Sequence, residues 1–187
     1  MDIRGSRPIA NSPDEFQQIF PGMWYGWPDY TGGLPITLPI FKPESGPKPK
    51  LLLLQHPMKP PMPLATFTPH AAVMGFDFNY TSKFKYFGDV YIAEFGSEAP
   101  RTTGGKPLPG VGHRVSRIDM NTGMVYKFAI NKSGYAASDT TGGGLERPID
   151  VIFVSDENMY VVDFGLVSEG HHGYEPNTGV IWRIRRV

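Results

Sequence analysis

Asp89-Val-Tyr-Ile-Ala-Glu-Phe-Gly96 and Asn158-Met-Tyr-Val-Val-Asp-Phe-Gly165 are near-copies. Each reads as a short strand: a polar start, an aromatic between apolar residues, an acid, then Phe-Gly as the turn. The flanks repeat as well. Gly75-Phe-Asp-Phe78 precedes the first copy and Pro148-Ile-Asp-Val-Ile-Phe153 the second. Arg114-Val-Ser-Arg-Ile-Asp119 follows the first and Gly179-Val-Ile-Trp-Arg-Ile184 the second. A strand–strand–loop–strand unit recurring on this scale is the signature of a toroidal all-β architecture, the β-propeller, with four-stranded antiparallel blades.

Working outward, Val73–Phe78, Val90–Phe95, His113–Asp119 and Met124–Ile130 read as the four strands of one blade, with Asn121-Thr-Gly123 as a hairpin turn. Ile149–Val154, Met159–Asp163 and Gly179–Arg185 read as three strands of a second. The expected layout is a single partial propeller over 1–187: a loop-rich lead-in at 1–63, one blade at 64–131 and an incomplete blade at 145–187. That is two to three blades of a ring that closes with no fewer than four. The remainder comes from another part of the ring or from self-association, because an open half-ring leaves strand edges free to pair.

The lead-in has its own signals. Ser12-Pro-Asp-Glu15 offers a cap, a proline at the first helical position and two acids, which predicts a helical turn to about Ile19. Met23-Trp-Tyr-Gly-Trp-Pro-Asp-Tyr-Thr-Gly-Gly33 predicts an ordered aromatic loop, either a core plug or a ligand wall. Leu51-Leu-Leu-Leu-Gln55 reads as a buried strand.

Composition narrows the function. The 18 basic residues balance the 18 acidic ones, which gives no electrostatic reason to expect nucleic acid or a membrane surface as partner. No apolar run approaches a membrane span. There is no cysteine, so thiolate metal sites are excluded. The first residues carry no apolar signal-peptide core, and localisation stays open.

In order and spacing, Asp14-Glu-Phe-Gln-Gln-Ile19, Tyr25-Gly-Trp-Pro28, Val90-Tyr-Ile-Ala-Glu-Phe-Gly-Ser97, Arg147-Pro-Ile-Asp150 and Gly179-Val-Ile-Trp-Arg-Ile184 resemble the C-terminal half of the glucose/sorbosone dehydrogenase family. These are six-bladed propellers that oxidise a sugar hydroxyl by hydride transfer to pyrroloquinoline quinone (PQQ); the full-length members are typically periplasmic or secreted. The resemblance implies a small-molecule sugar as substrate and PQQ as cofactor. It implies that Arg147 binds the cofactor, with Arg101, Phe67 and Trp27 beside it. The segment at Arg7-Pro8 would help hold a calcium ion. Where the family often has a second basic residue, this chain has Ile149. The resemblance implies that the family's base histidine belongs to a first half that these residues do not match. His70 is therefore the candidate catalytic base, or else a hydrogen-bonding residue of the channel wall, and the chain alone is expected to be inactive.

Two other readings stay open. One is a non-catalytic propeller module that binds a glycan or a protein, with Trp24 and Trp27 suited to sugar stacking. The other is a scaffold whose copies complete a ring. Several local patterns have plainer readings. Glu94 and Asp163 are expected to pair with arginine or backbone donors. His171-His172 is a solvated loop pair. Asn79-Tyr-Thr81 and Asn131-Lys-Ser133 are glycosylation sequons by pattern only.

Overall fold

The computed structural model describes residues 8–97, 110–167 and 174–185. Arg7, Arg101, His171 and His172 lie outside these. The fold is all-β, built of four small antiparallel sheets, none closed among the described residues. No helix among them is long and apolar enough to cross a membrane. The chain divides into two compact units, one of residues 8–69, the other of 70–97, 110–167 and 174–185.

The first unit contains β1 (Asp14–Phe16), β2 (Tyr30–Thr31), β3 (Leu34–Pro35) and β4 (Ala65–Phe67). β2 and β3 form a hairpin across Gly32 and Gly33, at φ 58° and 70°, the positive values that a two-residue loop asks for. β1 pairs with β4, Asp14 opposite Phe67. The helical turn expected from Ser12 is therefore not formed. Its residues instead spend their backbone groups on a partner strand fifty residues downstream, and local helix propensity yields to that pairing. Ile36, Phe41, Ala65 and Phe67 are this unit's buried apolar residues.

Leu51–Gln55 is a second correction: it is exposed, joins no ladder, and Leu54 is fully in solvent. The backbone N–H groups of Leu52 and Leu53 donate instead to the two carboxylate oxygens of Asp29, at 2.7 and 2.9 Å. Donors committed to a side chain cannot also join a strand ladder.

The second unit holds β5 (Val73–Phe78), β6 (Val90–Glu94), β7 (Arg114–Ile118) and β8 (Val125–Ile130) as one four-stranded sheet in chain order. β9 (Pro148–Ser155), β10 (Asn158–Asp163) and β11 (Val180–Arg185) form a three-stranded sheet, also in chain order. All seven strands lie within a residue of their sequence reading. At the β7–β8 turn, Gly123 (φ 71°) donates its N–H to Asp119 O at 2.7 Å.

The two sheets share one core. Tyr91, Ala93 and Val115 of the first pack with Val151, Met159 and Val161 of the second, with Phe84 and Leu145 added from loops. Tyr91 lies edge-on to Phe128 at 4.7 Å and to Phe153 at 5.1 Å, joining both sheets. Burial pushes its hydroxyl up to about 12, and the hydroxyl donates to Lys85 O.

The sequence repeat is a structural repeat in register. Tyr91 pairs with Arg117 and Ala93 with Val115; Tyr160 pairs with Arg183 and Val162 with Ile181. The difference is what covers each face. The face of Tyr91 lies under the second sheet. Because β10 turns Met159 and Val161 inward, Tyr160 and Val162 point the other way, beside exposed Ile152 and Ile181.

Candidate functional site

One end of the second unit gathers most of its buried charge. Here β6 ends at Glu94, β7 begins at Arg114, β9 begins after Arg147, and β10 ends at Asp163. Glu94 is fully buried. It accepts from Ser116 Oγ and forms an ion pair with Arg114 Nη2 at 2.8 Å. Asp163, the matching acid of the repeat, is held by neutral donors. The N–H groups of Glu146 and Arg147 reach it at 2.7 Å each, Gly165 N–H at 3.1 Å and the Trp182 indole at 3.3 Å. Both acids thus organise strand ends, as the plain reading expects.

Between them lies His113, buried and at φ 54°. Its Nδ1 donates to Glu146 O at 2.6 Å, tying the start of β7 to the start of β9. The imidazole covers Gly96, where a side chain would overlap it. Burial is the main cause that lowers the His113 pKa; the bond to the Glu146 carbonyl opposes it and the Arg147 charge adds to it. A depressed histidine favours the neutral form in the fold. Its contribution is complete above the ordinary value of 6.5 and is lost as pH falls toward the lower folded value. The melting temperature is therefore expected to drop on acidification through that window. His113→Asn, which keeps a donor and tolerates positive φ, should flatten the drop in paired thermal melts. Parallel pH profiles for the two proteins would assign the drop to other groups.

Arg147 projects at this same end, its guanidinium 5.0 Å from the Phe95 ring centroid. His70 enters β5 here at φ 69°, and the carbonyls of Ala71 and Ala72 accept from Gly96 and Phe95. Three non-glycine residues at positive φ (His70, Ala72 and His113) thus flank one strand end, a clustering of strain typical of functional sites. A cavity of about 430 Å³ opens alongside, walled by Ser138, Glu146, Asp163, Gly165 and Thr178. Glu146 accepts from Ser138 N–H at 2.8 Å and Oγ at 2.9 Å.

No family model, curated protein or solved structure matches this chain. What the site can do is therefore argued from its own residues. Of the sequence-derived candidates, Arg147 and His70 sit at this strand end. Phe67 is buried on β4, Trp27 is 84 % exposed in the first unit, and Pro8 is half-buried near that unit's start. Arg101 and Arg7 fall outside the described residues. His113 and Glu146 escaped the sequence reading; the Gly110-Val-Gly-His113 run, glycines before a strand, was the available signal. Neither sequon is available as a free amide. Asn79 Nδ2 donates to Lys85 O and Tyr86 O, and Asn131 Nδ2 to Tyr135 O and Leu145 O.

The opposite end is structural. There Asp89 pairs with Arg117, whose guanidinium lies 3.7 Å from the Tyr86 ring centroid and 4.5 Å from that of Tyr126.

In the first unit, Asp29 holds a third donor besides the two leucine N–H groups: His56 Nε2, at 3.0 Å. The imidazole stacks on Trp24 at 5.2 Å and meets Tyr30 edge-on at 5.2 Å. Trp24 Nε1 donates to Trp27 O at 2.8 Å, fixing the loop that displays Trp27.

Proposed function

We propose that the two sheets of the second unit are successive blades of a β-propeller, and that the strand end carrying Phe95, His113 and Arg147 belongs to its ligand face. The supporting observation is the registered repeat. Two meanders in chain order pack face to face, and the second leaves open the face that the first has covered. That open face, Ile152, Tyr160, Val162 and Ile181, is the seat for a further sheet.

Within that reading, the chain contributes part of a PQQ site of the glucose/sorbosone dehydrogenase class. A guanidinium over an aromatic ring fits one carboxylate and the flat ring system of the quinone. The fit is partial. Arg114 is committed to Glu94, position 149 is isoleucine, and the cavity wall is carboxylate-bearing, which disfavours a tricarboxylate inside it. PQQ, when bound in such enzymes, accepts hydride from a sugar. Here Arg147 would anchor it and Phe95 would back the guanidinium. Among the described residues no group of three or more His, Cys, Asp or Glu could hold a metal.

Adding PQQ and calcium to the chain is expected to shift the quinone absorbance without dye reduction by aldoses. Arg147→Ala should weaken the shift by about tenfold or more. An unchanged spectrum with the wild-type chain sinks the cofactor assignment. The second reading, a carbohydrate-binding module without catalysis, is favoured by one observation, the exposure of Trp27.

A further inference from the structure

The chemistry of the first unit points to a site the sheet-end reading does not use. Asp29 is fully buried, and its carboxylate accepts from the N–H groups of Leu52 and Leu53 and from Nε2 of His56. A carboxylate in that role only accepts, so Nε2 of His56 carries a hydrogen, and in the neutral imidazole Nδ1 then presents its lone pair. That is the orientation a carboxylate imposes on a histidine that works through its other nitrogen. The ring is clamped by Trp24 and Tyr30, yet His56 keeps 20 % of its side-chain surface in solvent. His56 makes its hydrogen bond through Nε2 and its aromatic contacts through the ring, and Nδ1 has no protein partner among the described residues. Close in sequence stands Trp27, the most exposed aromatic of the unit, its carbonyl pinned by the Trp24 indole.

We propose that His56, held by Asp29, accepts a hydrogen bond from a hydroxyl of a neutral carbohydrate whose ring stacks on Trp27. A flat apolar platform with a few oriented polar groups is how pyranose rings are recognised. A metal ion fits less well: no third ligand accompanies Asp29 and His56 among the described residues. The site lies wholly in the first unit and needs no quinone. It rests on the carbohydrate-binding reading and not on the sheet-end one, so it can fail while the sheet-end reading holds, or hold while that reading fails.

The test titrates the whole chain with methyl β-D-glucoside, maltohexaose and cellohexaose, following the three indole N–H signals by NMR. At least one probe should shift Trp24 and Trp27, with Trp182 unmoved, and saturate at millimolar or lower concentration. His56→Gln keeps a donor in the Nε2 position for Asp29 but removes Nδ1. It is expected to weaken binding about tenfold at unchanged melting temperature, and Trp27→Ala to weaken it at least as much. Should His56→Gln melt early, the wild-type Nδ1 resonance of nitrogen-labelled histidine decides, since saturation must move it. No response to any probe, wild-type affinity in His56→Gln at normal stability, or an Nδ1 signal that stays put at saturation would each overturn the proposal.

Discussion

Replacing Glu94 by alanine is expected to destabilise the second unit by about 3–5 kcal/mol, a large part of a domain's whole stability. Glu94 has no exposed surface, and its two oxygens face Ser116 Oγ and the Arg114 guanidinium. Alanine leaves the Arg114 cation largely buried with its counter-charge gone, at a side-chain exposure of 12 %. That uncompensated charge, more than any lost attraction, is the source of the cost. The discriminating variant is Glu94→Met combined with Arg114→Met, which removes both charges and keeps volume. It should recover most of the stability lost by the single change, measured by denaturant midpoints at constant slope. A double variant as unstable as Glu94→Ala would show that the cost lies in packing and not in the charge. Asp163 offers the contrast. Its partners are neutral N–H groups, so its removal leaves orphaned donors at the start of β9.

These acids also mark how far the sequence could be read. The seven strands of the second unit were legible because β6 and β10 are short apolar runs closed by Phe-Gly, because Asn-Thr-Gly separates β7 from β8, and because the unit occurs twice. The pairing of Glu94 and Asp163 was legible as a class, acid with donor, but not as a geometry. One copy meets Arg114 across its own sheet; the other gathers the N–H groups that open β9. The lead-in defeated local reading for one reason. Its backbone groups are satisfied by distant partners, β1 by β4 and Leu52–Leu53 by Asp29, and such partners leave no periodic trace. His56 was hidden in the same way. Before proline in a run of turn residues it looks incidental, and only folding brings it to Asp29 and Trp24. Arg147 was placed at a strand start by its Gly-rich approach, and the structure puts it there; its ring partner Phe95 needed the packing of two sheets.

Gly112→Ala should be comparably damaging, through the backbone. Gly112 sits at φ 76°, which alanine reaches at a cost of about 1–2 kcal/mol. Its added Cβ would overlap the Gly96 backbone and lie 3.0 Å from the Ala71 carbonyl oxygen. No rotamer change relieves a clash with main chain, so the three segments must separate, adding about 1–3 kcal/mol. Separation would also strain the bond from Gly96 N–H to Ala71 O, 2.9 Å, and displace His113, the next residue, from Glu146 O. Gly134→Ala supplies the control: its φ is 77°, and nothing lies within 4 Å of the added carbon. It carries the conformational cost without the clash and should lose only about 1–2 kcal/mol. If Gly112→Ala unfolds at the same denaturant concentration as Gly134→Ala, the close approach of these strand ends does not support the site. If it unfolds much earlier, with the amide of Gly96 exchanging faster, the Gly96–Gly112 contact is what holds His113 and Phe95 in place beside Arg147.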